Sequence, residues 1–113
     1  MTRTEFTTFL TNLQKIETTI NQSKGPAYAG SDDALANFKR IGDRLNIDPI
    51  QVAIVYFMKH VDSIVSYAAG NRTDTEPLEM RLVDIRLYAA LIGALDVDRK
   101  RTEELARSLE NGG

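Results

Sequence analysis

Glu76, Glu79, Asp84 and Tyr88 recur at three- to five-residue steps along one stretch of the chain, with Arg81 among them, and Lys59, His60 and Asp62 stand together just upstream. The short connection over 71–75 makes the two segments antiparallel neighbours if both are helical. Counting back from that turn puts Asp62 at a height comparable to Asp84. Carboxylates projecting from facing helices hold a hard divalent cation such as Mg2+, which takes oxygen ligands and keeps several waters. Glu76, Glu79, Asp84 and Asp62 are the candidate metal ligands, and Asp84 and Glu79 the candidate catalytic acids. An ion held there would bridge phosphate oxygens and polarise a water for attack.

Each of these residues also has an ordinary structural reading. Acids in a helix's first turn, as Glu76 and Glu79 would be, are favoured by the macrodipole. Lys59 with Asp62 and Arg81 with Asp84 are three apart, the spacing of intrahelical pairs. His60 is the only histidine, so there is no second imidazole to build a metal site with it, and the sequence supports no Ser-His-Asp arrangement. The segment Lys24-Gly25-Pro26-Ala27-Tyr28-Ala29-Gly30 reads as a shaped loop, in which Tyr28 would stack on a ring and Lys24 would meet a phosphate. It matches neither a Walker loop nor a Rossmann turn.

The elements that must position these groups are helices. Phe6, Phe9, Leu10, Leu13, Ile16 and Ile20 form one face of an amphipathic helix over about 3–21, ending before the Gly-Pro segment. Ser31, Asp32 and Asp33 offer caps for a second helix to about Leu45, with Asn46 as a left-handed stop. Asp48-Pro49 opens a third helix to about Ala69, before Gly70. Glu76-Pro77 opens a fourth to about Leu95, and Asp96 or Asp98 would cap a short fifth through Leu109, leaving 111–113 frayed. The expected fold is all-α, one domain over 1–113, with four to five helices around a central antiparallel hairpin.

Composition narrows the function. The chain has 113 residues, no cysteine and 14 Lys+Arg against 16 Asp+Glu. The lack of a basic excess argues against general nucleic-acid binding, and zero cysteine excludes thiol nucleophiles and Cys-ligated zinc. No apolar run reaches the roughly 20 residues of a membrane span, and a cytoplasmic location is expected. The third and fourth helices, however, are apolar on more than one side. Val52 to Met58 is apolar around nearly two turns, and the fourth helix carries two stripes, Leu78/Leu82/Ile85/Ala89/Ile92 and Met80/Val83/Leu87/Leu91/Ala94. A helix apolar on both faces is buried on both. A bundle this small has few elements to cover two such helices, so a homo-oligomer, most simply a two-fold dimer, is expected.

The string from Glu76 to Tyr88 resembles the E-x-x-E-x-x-x-x-D-x-x-x-Y signature of phage nucleotide-modification-associated domains, which look like relatives of the MazG-type all-α nucleotide pyrophosphatases. Lys24 with Tyr28-Ala29-Gly30, Asn37-Phe38 and Tyr56 to Asp62 fall in the same order, so the similarity spans about 24–95 and leaves 1–22 and 97–110 as flanking helices. The resemblance implies a helical, often dimeric phage protein of nucleotide metabolism, with Glu76, Glu79 and Asp84 matching the acidic signature. Lys24, Tyr28, Asn37, Lys59, His60, Arg81 and Tyr88 are then the candidate ligand-binding residues. A separate E-x-x-D motif of those enzymes is absent, and the third helix supplies only Asp62. Two functions stay open: a protein that binds or processes a nucleotide, with Mg2+ as its possible cofactor, or a non-enzymatic homo-oligomeric module that binds a host or phage protein.

Overall fold

The computed structural model describes residues 1–29, 33–71 and 76–112, with the side chains of 24–29 excepted. All regular structure among them is helical: α1 Arg3–Ala29, α2 Ala36–Leu45, α3 Pro49–Ala68 and α4 Leu78–Asn111. The all-α expectation of four to five helices holds, with four among the described residues.

Local chemistry explains most of the boundaries. Thr2 and Glu5 close a reciprocal capping box ahead of α1, each backbone N–H donating to the other's side chain at 3.1 Å. The threonines of α1 fold their hydroxyls back onto carbonyls one turn earlier, as Thr7 does to Arg3 and Thr11 to Thr7. Asn46 ends α2 in the left-handed region at φ 57°, and Asp48 caps α3 by accepting from the Ile50 N–H at 2.8 Å, with Pro49 following. Gly42 is required by this corner: a Cβ there would stand 2.8 Å from the Ile47 carbonyl oxygen.

Three boundaries differ from expectation. α2 starts at Ala36 with Leu35 as its N-cap, so Asp33 does not cap it; its carboxylate instead accepts from the Leu35 N–H at 2.9 Å in the turn ahead. α1 does not stop near Asn21; it continues through Gly25 and Pro26 to Ala29. A proline removes one ladder donor without forbidding the turns beyond it. The segment expected as a loop is therefore helix up to Ala29, while Gly30, Ser31 and Asp32 lie outside the described residues. α4 likewise runs on past Asp96 and Asp98, which cap nothing. Asp96 pairs forward with Arg99 at 2.8 Å and Lys100 at 2.9 Å, three and four residues on, and so reinforces the helix.

The core sits where α2, α3 and α4 meet: Leu35, Phe38, Val52, Ala53 and Leu95, with Tyr88, Leu91 and Ile92 against it. α1 lies along α4, tied by the Glu17–Arg86 pair at 2.5 Å and by buried Leu13. Arg86 is two residues, about 200° of helix, from both Asp84 and Tyr88 on the α3 side. α4 is thus covered on two opposite flanks, which accounts for its two apolar stripes within one chain.

α3 packs on α4 and, towards its start, on α2, and its outer flank has no cover. Val52 and Ala53 are buried in the core with Leu35, Phe38 and Leu95, whereas Val55 is 67%, Val65 61% and Met58 48% exposed, with Ile54 beside them. The chain is correspondingly open. Its accessible surface is 8328 Å2, against about 6200 Å2 for a compact monomer of 12.6 kDa. Its radius of gyration is 17.6 Å, against about 13 Å for a globule of this length.

Candidate functional site

The hairpin of α3 and α4 is antiparallel, and its polar side chains meet in steps of one turn. Arg81 Nη1 donates to the Ser63 carbonyl at 2.8 Å and to the Ser63 hydroxyl at 2.9 Å, with its guanidinium 5.5 Å over the Tyr67 ring. One turn along, His60 Nδ1 lies 3.6 Å from Asp84 Oδ2, an approach longer than a hydrogen bond. Beyond that, Tyr88 stacks on Tyr56 at 6.0 Å and lies 4.9 Å from the His60 ring, while Phe38 of α2 meets both tyrosines edge-on.

This register places the expected site residues differently from the counting argument. His60, not Asp62, stands at the height of Asp84. Asp62 is two residues further round α3 and exposed on its outer side, with Lys59 near it. Glu76 precedes α4 and Glu79 lies in its first turn, both exposed. Glu76, Glu79, Asp84 and Asp62 do not converge: no three acidic, histidine or cysteine side chains among the described residues gather as a metal site. The cause is angular: Asp84 faces the seam beside His60, whereas Asp62 lies about 200° further round α3 and Glu76 and Glu79 stand at the exposed start of α4.

Arg81 is 3% exposed and committed to Ser63 and Tyr67, so it clamps the two helices instead of presenting a guanidinium to phosphate. Lys59 is exposed on the flank of α3, about 100° round from His60, and Asn37 is half-buried on α2. The side chains of Lys24 and Tyr28 lie outside the described residues. His60, Asp84 and Tyr88 are the expected site residues that the fold does bring together.

A second polar cluster joins residues far apart in the sequence and has no local signal there. A cavity of about 390 Å3 between α2, α3 and α4 is lined by Lys39, Asp48, Ile50, Leu95, Arg99 and Thr102, among others. Lys39 bonds Asp98 at 2.7 Å and Asp33 at 2.9 Å, and these two carboxylates hold its ammonium above the ordinary lysine range. Lys39 and the Leu35 backbone N–H lower the Asp33 carboxyl, and Lys100 and Arg99 lower Asp96. Arg99 also reaches Asp48 at 3.2 Å. Each cation lining this cavity is already answered by a carboxylate, which leaves the rim a closed ionic clasp between α2, α3 and α4.

An apolar feature left unanswered is the outer face of α3, where Ile54, Val55, Met58 and Val65 are exposed on either side of Asp62. No helix of the described residues is long and apolar enough to cross a membrane. Comparison of the chain with known protein families, curated proteins and solved structures returns no match.

Proposed function

We propose that the chain is a helical protein-association module whose working surface is the outer face of α3. One observation carries this reading: the side chains of the α3–α4 seam are engaged with one another, while the apolar residues on the far side of the same helix have nothing against them. An exposed apolar stripe of this kind on a soluble helix marks a surface that another protein covers. The seam supports α3 from behind, through Arg81, the tyrosine stack and the buried Val52 and Ala53, so that the stripe is presented on a rigid element.

Binding or Mg2+-dependent processing of a nucleotide, which the Glu76–Tyr88 resemblance implies, has less behind it. Its acids are dispersed, its arginine is buried, and the cavity between α2, α3 and α4 lies elsewhere, with Lys39 and Arg99 already paired and three acids in its lining.

The test uses the absence of cysteine. A Val65→Cys thiol labels at least tenfold more slowly when the protein is concentrated, or mixed with cell extract, than when dilute; a Ser108→Cys thiol on the exposed end of α4 is the control. Equal labelling of Val65→Cys under all three conditions overturns the reading. A nucleotide panel with and without Mg2+ shifts the melting temperature by less than about 1 °C, and a larger shift restores the nucleotide reading.

A further inference from the structure

We infer that the surface covering α3 is α3 of a second copy, paired antiparallel about a two-fold axis near residue 60. This rests on the reading of the outer face given above and names its partner.

The spacing of the stripe is the first ground. Gln51, Val55, Met58, Asp62, Val65 and Ala69 follow one another at alternating steps of four and three, and all six are exposed. That is the seam pattern of a helix pair. The spacing, with valines at 55 and 65, also reads the same in both directions. Turned about an axis at residue 60, Val55 meets Val65 of the second copy, Met58 meets Asp62 and Gln51 meets Ala69. An isologous interface requires this self-complementarity.

Charge selects the direction. In the antiparallel pair, two Lys59 and two Asp62 gather around the axis, and each lysine is within reach of the other chain's Asp62. The group is neutral in total, so the acid in the middle of the apolar stripe is answered. A parallel pair would set Asp62 against Asp62 in the seam and Lys59 beside Ile54, leaving like charges facing and the lysine without an acid. Neither residue does any work inside the chain: Lys59 and Asp62 are both exposed, away from the α3–α4 seam.

Area is the third ground. A stable interface of standard size removes about 800 Å2 from each partner. The accessible surface of 8328 Å2 exceeds that expected of a compact monomer by about 2100 Å2. One such interface fits within the excess, to which the exposed lengths of α1 and the end of α4 also contribute.

Cysteine cross-linking in the otherwise cysteine-free chain tests the arrangement. Val55→Cys and Val65→Cys are prepared singly, and each is oxidised alone and in an equal mixture. In the antiparallel pair two copies of residue 55 lie about 15 Å apart, beyond the roughly 7 Å limit between bridged Cα atoms. Each variant alone therefore stays uncross-linked, and the mixture gives a disulfide-linked pair of one copy of each. Linkage of each variant to itself means parallel pairing and overturns the inference. No linkage in any sample also overturns it.

The charges give a second readout. Lys59→Glu and Asp62→Lys each raise the dissociation constant at least tenfold, and mixing the two restores association, because only the mixed pair is neutral at the axis. Unchanged association of the single variants removes Lys59 and Asp62 from the interface. A chain that remains monomeric while its Val65→Cys thiol is protected in cell extract overturns the second copy as partner and leaves the association reading standing. A Val65→Cys thiol protected nowhere overturns both.

Discussion

Replacing Arg81 with alanine separates a clamp from a phosphate ligand. The guanidinium is buried, donates two short bonds from Nη1 to Ser63 and lies over Tyr67. A hydrogen bond from a charged donor contributes about 1.5–3 kcal/mol net. Both of these go to one serine, so the lower end of that range is taken for each. The contact with the tyrosine face adds about 1 kcal/mol, and relief of the buried charge returns about 1–2 kcal/mol. Loss of the aliphatic stem's packing costs about 1 kcal/mol more. Arg81→Ala should therefore destabilise the fold by about 3 kcal/mol, a large fraction of a domain's 5–15 kcal/mol. Urea unfolding at fixed chain concentration, followed by circular dichroism, reads this as a midpoint about 2 M lower at an m-value near 1.5 kcal/mol/M, with the m-value unchanged. Arg81→Lys, which keeps the charge but not the fork, should fall between the two. A loss below about 1 kcal/mol for Arg81→Ala would refute the clamp and return Arg81 to the ligand-binding set.

Two helix-internal glycines should respond in opposite directions. Gly93 has nothing within 4 Å of a would-be Cβ, so Gly93→Ala gains about 1 kcal/mol of helix propensity, read as a higher melting temperature. Gly42→Ala drives a Cβ against the Ile47 carbonyl oxygen and Pro49, and loses about 1–3 kcal/mol despite the better propensity. The ionic clasp makes stability pH-dependent at both ends of the scale. The lowered carboxyls of Asp33 and Asp96 stabilise the fold above the unfolded aspartate range and lose that contribution as pH falls below about 4. Raised Lys39 contributes below the unfolded lysine range and loses it as pH climbs beyond about 10.4. Thermal melts between pH 7 and pH 3 should show a shallower acid decline for the Asp33→Asn, Asp96→Asn double variant than for the parent; identical slopes would remove these pairs from the pH response.

What could be read from the sequence was local. Asn46 and Asp48-Pro49 specify a helix end and a helix start within a few residues, and both are where they were expected. Asp96 shows why the next boundary was missed. A carboxylate three and four residues before Arg99 and Lys100 suits a cap or a mid-helix pair equally well, and nothing nearby decides between them. Pro26 misled for a related reason, because it removes one donor and α1 continues past it. Thr2 and Glu5, by contrast, carried an unread capping-box signature. The site depended on angle as well as height. Asp62 and His60 differ by only two residues, yet those two residues turn one of them onto the seam and the other onto the outer face. The pairing of Lys39 with Asp98, far apart in the chain, has no local signal. The excess of apolar residues on α3 and α4 was legible as an amount, and the fold divides it: α1 covers the second side of α4, and the second side of α3 stays open.

Sedimentation equilibrium across the micromolar range bears on that open face without any probe or substitution. Two chains joined through α3 sediment at about 25 kDa, twice the 12.6 kDa of one chain, and a Val55→Glu, Val65→Glu variant of unchanged helicity sediments as the single chain. A parent protein that holds 12.6 kDa throughout, or a variant that associates as well as the parent, would contradict the pairing.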